Sequence, residues 1–153
     1  MNRTEKIKQA LHNGCVLFTQ NRLDTINKTI SELQESLTSE TKSSAGDKHE
    51  TGRAMVQLER EKAGHQLAQI QKVNQLLAKI STEKTSKIIG LGSVVYTTKS
   101  NYYIAISAGE LEVDTQKFYA IAANTPIAQL LLGKTIGDDI VFRAQNFSIT
   151  NVN

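Results

Sequence analysis

A chain of 153 residues suffices for one ordinary domain or a compact domain with an extended arm, and 39% hydrophobic with 5% aromatic residues is thin for one large core. Net charge is +3, all of it in residues 1–85, where 13 Lys/Arg face 10 Asp/Glu; residues 86–153 hold 5 of each. Cys15, the lone cysteine, excludes an intrachain disulfide, and neither a signal-peptide core nor a membrane-length apolar run is present, so a soluble, cytoplasmic protein is expected.

From residue 4 to about 40 the apolar side chains Leu11, Cys15, Phe18, Ile26, Ile30, Leu33 and Leu37 recur at helical spacing, with Gly14 the one internal helix-weakener. A second helical run, from about 50 to 84, carries Ala63, Leu67, Ile70, Val73, Leu77 and Ile80 among Gln, Lys and Glu. Each run spans about 50 Å at the helical rise. Neither stripe can be buried alone, which predicts an antiparallel coiled-coil hairpin; a bundle formed by oligomerisation is the competing arrangement. The small polar stretch Thr41-Lys42-Ser43-Ser44-Ala45-Gly46 supplies the turn, within 41–49.

After Lys87 the period shortens. Val94-Val95-Tyr96, Tyr102 to Ile106, Phe118 to Ile121, Ile140-Val141-Phe142 and Phe147 to Thr150 read as strands. Asn124-Thr125-Pro126 opens a short helix over Ile127 to Leu132, closed by Gly133. The expected fold class is α+β, a coiled-coil hairpin over 1–85 followed by a small antiparallel sheet with one helix over 86–153.

The hairpin turn holds the most suggestive chemistry, Asp47-Lys48-His49-Glu50. Two carboxylates three residues apart suit a capping box at a helix start, with Asp47 as N-cap, and they also repel one another unless a cation relieves them. Alone they make a weak, open Mg²⁺ site, so a metal held mainly by a partner is the natural complement. Arg53, Arg60 and Lys62 follow on the second helix, as solvated charges or as contacts to an RNA phosphate backbone. His12, His49, His65 and Cys15 lack zinc-ligand spacing, and no phosphate-binding glycine loop is present.

Two segments carry a family resemblance. Gly46-Asp47-x-x-Glu50 resembles the tip motif G-D-x-x-E-N-A-E-Y of the Gre transcript-cleavage factors of bacterial RNA polymerase. The run from Asn124-Thr125-Pro126-Ile127-Ala128 through Leu132-Gly133-Lys134 to Gly137-Asp138 and Ile140 is similar to that family's signature S-P-I/M-A-R-A-L-x-G-K-x-x-G-D-x-V. The resemblance implies an FKBP-like second domain docking on the rim of the polymerase secondary channel through Asn124, Thr125, Pro126 and Ile127. It also implies a coiled coil that enters the channel as a monomer. Asp47 and Glu50 would then share the polymerase's second Mg²⁺ near the nascent RNA 3′ end and orient a water, so that the polymerase hydrolyses its own backtracked RNA. The chain is not an enzyme by itself in this reading.

The sequence departs from the family at three places. Thr51 replaces the Asn after the tip Glu, Arg53-Ala54 replaces Glu-Tyr, and Asn124-Thr125-Pro126 replaces Asp-Ser-Pro, losing a charge. These departures sustain an alternative, a non-cleaving channel binder like the family's anti-Gre or Rnk-type relatives. A third class is a coiled-coil interaction protein outside transcription, or a chaperone or isomerase suggested by fold alone.

Overall fold

The computed structural model describes residues 2–42 and 47–153; the side chains of 40–51 are not among those described. Helix α1 (Arg3–Lys42) begins at Asn2, whose Oδ1 accepts from the Glu5 amide at 2.8 Å and satisfies one of the helix's free donors. Helix α2 (Asp47–Lys79) follows. Both helices run close to the expected spans. However, α2 stops at Lys79 rather than near 84, because the Ser81 hydroxyl accepts from the amides of Glu83 and Lys84 and turns the chain.

Two compact units result. One is 19–74; the other joins 1–18 to 75–153. In the first, Ile26, Ala63 and Ile70 form a buried seam, flanked by Leu23, Ile30, Leu33 and Leu67, where the two helices pack against each other as an antiparallel, coiled-coil-like hairpin. The period change at Lys87 does not reveal the second unit's claim on the first turns of α1.

That second unit is α+β. Its strands are β1 (Val94–Thr97), β2 (Asn101–Ala105), β3 (Gly109–Val113), β4 (Gln116–Ala122), β5 (Asp139–Phe142) and β6 (Gln145–Val152), with helix α3 (Pro126–Leu131) before β5. They form one sheet in the order β3-β4-β2-β1-β6-β5. The expected antiparallel sheet is corrected to a mixed one, since β2 and β4 run parallel from Asn101↔Phe118 to Ala105↔Ala122. The cause is β3, which the sequence reading missed. Two of the five residues in its Gly-Glu-Leu-Glu-Val are charged, so β2 and β4 look like direct hairpin partners, whereas the chain first visits the sheet edge and returns.

Alternation along β2 sends Tyr102 and Ile104 to one face, Tyr103 and Ala105 to the other. On the first face, Ile104 joins Val95, Phe147, Ile149 and Val152 with Ile89, Leu131 and Ile140 in a buried cluster under α3. A register shift opposite Tyr96 and Thr97 leaves Thr150 bulged, so that Ile149 and Val152, three residues apart, reach the same core. The other face meets the first turns of α1, where Ile7, Leu11 and Cys15 are buried.

Candidate functional site

Three groups of side chains were expected to carry function, and each has a different standing in the structure. Asp47 and Glu50 belong to the first turn of α2, immediately after residues 43–46. Their side chains, and the capping bonds expected of them, lie outside the described residues, as does the side chain of His49. Carboxylates at a helix N-terminus are favoured there by the helix dipole.

Arg53, Arg60 and Lys62 separate. Continuing the Ala63-Leu67-Ile70 seam towards the start of α2 by steps of three and four reaches Arg60, Val56 and Arg53. Arg60, half-buried, and Arg53 therefore stand where apolar residues would close the pair. Together with Gln34, Leu37, Thr38, Gln57 and Glu61 they line a groove of about 430 Å³. Arg60 also reaches a neighbouring hollow of about 670 Å³ beside Asn27, Ser31 and Gln34. Gly64 makes room for it: a Cβ there would stand 3.2 Å from an Arg60 guanidinium nitrogen. Lys62 is exposed and lines neither hollow.

The third group is a built corner. The Thr125 hydroxyl donates to the Ala122 carbonyl at 2.8 Å and accepts from the Ala128 amide at 3.3 Å, capping α3, and Pro126 occupies the first helical position. Gln129 Nε2 donates to the Ala123 carbonyl at 2.6 Å and ties the helix to the end of β4. Asn124 and Pro126 are exposed, while Ile127 is half-buried against the core cluster. The corner thus presents Asn124 and Pro126 outward, and Thr125 and Ile127 hold it in place.

Sequence reasoning missed the polar anchors of α1. Lys8 is buried, and its Nζ donates to the Lys84 carbonyl at 2.6 Å; burial lowers its pKa. Thr82 Oγ1 donates to Gln9 Oε1 at 2.8 Å. A lysine and a glutamine on a helix carry no sequence mark of these long-range partners. Cys15 is fully buried and its thiol is pushed up to about 12 by burial, which makes it inert. Among the described residues no group of three or more His, Cys, Asp or Glu could hold a metal ion, and no helix is long and apolar enough to cross a membrane.

Compared with known proteins, the chain matches no family model and no curated protein.

Proposed function

We propose that this chain is a transcription elongation factor of bacterial RNA polymerase, which inserts its helical hairpin into the secondary channel and stimulates cleavage of backtracked RNA. The observation that carries the reading is placement. Asp47 and Glu50 stand in the first turn of α2, next to the short segment joining two helices of 40 and 33 residues, so the carboxylates belong to the far end of the hairpin. At 1.5 Å per residue such helices measure about 50 to 60 Å, a length suited to reaching a deep active centre.

In this reading the sheet with α3 is FKBP-like and docks at the rim through the exposed Asn124 and Pro126. Two carboxylates match the oxygen preference of Mg²⁺ but are too few to hold it, so the ion would belong mainly to the polymerase. Such an ion supplies charge neutralisation in the in-line displacement. Asp47 and Glu50 would complete its ligation and orient the attacking water, and the chain would have no hydrolytic activity alone.

A non-cleaving channel binder is the second reading, and Arg53 favours it. This residue lines the inter-helix groove where the resembling family has an acidic side chain, and it changes the charge one turn from the carboxylates. Both readings require binding to the polymerase core. Gel filtration of the chain with core enzyme tests them together: co-elution, weakened by Asn124→Ala/Pro126→Ala with the fold intact, is expected. Failure of the wild type to bind core would overturn both and leave a coiled-coil protein outside transcription.

A further inference from the structure

We propose that the β3 edge of the sheet takes up an extended segment of another protein in which apolar and basic residues alternate. β3 ends the strand order and pairs on one side with β4; among the described residues no strand lies beyond it. The turn to β4 has two residues, Asp114 and Thr115, both with φ in the left-handed region. That geometry makes Val113 and Gln116 the closing hydrogen-bonded pair, so the backbone groups of Glu110 and Glu112 point away from β4, towards the open side.

A strand laid along this edge would meet two unlike faces. On one, Glu110 and Glu112 are exposed, with Asp114 just beyond the strand. Lys117 is the cation beside them and pairs with Glu110 at 3.4 Å, leaving the edge acidic. On the other, Leu111 and Val113 are half-buried. Leu111 lies against Gly14, and one turn further along the helix Leu17 is 62% exposed. Lys or Arg at alternate positions of the incoming segment would answer the carboxylates, and the intervening apolar side chains would cover Leu17 and Leu111.

Charge selects the occupant. A second copy of β3 would bring Glu110 and Glu112 against their own counterparts, which opposes self-pairing. Carboxylates on an edge strand also discourage aggregation by themselves, and the two roles separate by experiment.

The test is an amide-resolved NMR titration of the whole chain at low ionic strength, with a capped hexapeptide alternating Val and Lys and another alternating Val and Glu. The Val/Lys peptide is expected to shift the amides of β3 and of α1 around Leu17, with binding that weakens as salt rises. In Glu110→Lys/Glu112→Lys, binding of the Val/Lys peptide should fall about tenfold or more, and the Val/Glu peptide should be preferred. Equal binding of both peptides by the wild type, shifts confined to other strands, or no shift at all would overturn the proposal and leave the glutamates as edge guards. Self-association through β3 would overturn it in favour of a second copy. The wild-type titration decides even if the double variant does not fold.

Discussion

His12 on α1 and Tyr103 on β2 meet at 3.0 Å, imidazole Nδ1 to phenol oxygen, in the region where the first turns of the helix cover the sheet. Tyr103 is fully buried and its phenol stays neutral, pushed above its ordinary value mainly by burial. Burial lowers the His12 pKa. With its proton on Nε2, the neutral imidazole accepts a hydrogen bond from the phenol; an imidazolium would instead donate to the phenol oxygen, and burial disfavours that charged form.

This pair predicts acid-sensitive stability. The unfolded His12, with a pKa of about 6.5, takes up a proton more readily than the folded one. The stability it contributes is therefore present above about pH 6.5 and is lost as pH falls through the lower, folded value. Urea unfolding between pH 8 and 5 should show this loss in the wild type and a flatter profile in His12→Gln. Parallel profiles would contradict it. Tyr103→Phe should cost about 1 kcal/mol at pH 7.5.

Gly14 sits where α1 and β3 approach, and a Cβ at this position would be 3.2 Å from both terminal methyls of Leu111. Leu111 is half-exposed and has room to give. Gly14→Ala is therefore expected to gain most of the helix-propensity difference, up to about 1 kcal/mol. Gly14→Ile should destabilise by about 1–3 kcal/mol through overpacking, and Leu111→Ala in the same chain should relieve part of it. Thermal unfolding of the four chains checks the sign at each step.

Both two-residue hairpin turns lack glycine. Asp114 and Thr115, and Arg143 and Ala144, all have φ between 51° and 65°. Left-handed backbone costs a residue with a Cβ about 1–2 kcal/mol, less for Asp, and the β-branched Thr115 suits it poorly. Thr115→Gly and Ala144→Gly should each raise the melting temperature, and an unchanged or lowered value would contradict the strain.

Thr125→Ala should remove the α3 cap and cost about 1 kcal/mol, with Thr125→Ser retaining most of it. Chemical denaturation measures this directly. Equal stability of all three proteins would mean that Pro126 alone sets the helix start.

The helices were legible because their stripes keep a helical period along most of each run, and α3 because Thr125-Pro126 and Gly133 mark both its ends. β3 was not, since two glutamates in five residues dilute the apolar signal of an edge strand. The bulge at Thr150 breaks the alternation that would assign Val152 to the core. Of the candidate site residues, Asn124 and Pro126 could be read as outward-facing corner residues from turn chemistry. The seam position of Arg53 and Arg60 was implicit in the Ala63-Leu67-Ile70 spacing but hidden by their charge. Lys8, His12 and Tyr103 owe their roles to partners more than 70 residues away, which no local pattern encodes.

In the proposed function, Asp47 and Glu50 are the chemical end of a polymerase-bound hairpin. The most direct measurement is transcript cleavage in a stalled, backtracked elongation complex with Mg²⁺, comparing the wild type with Asp47→Ala/Glu50→Ala. Shortened RNA with the wild type, and none above the polymerase's own background with a double variant that still binds core, is the predicted result. Equal cleavage with both proteins, or none with either while the wild type occupies the polymerase, would contradict it and return the acidic pair to a helix cap.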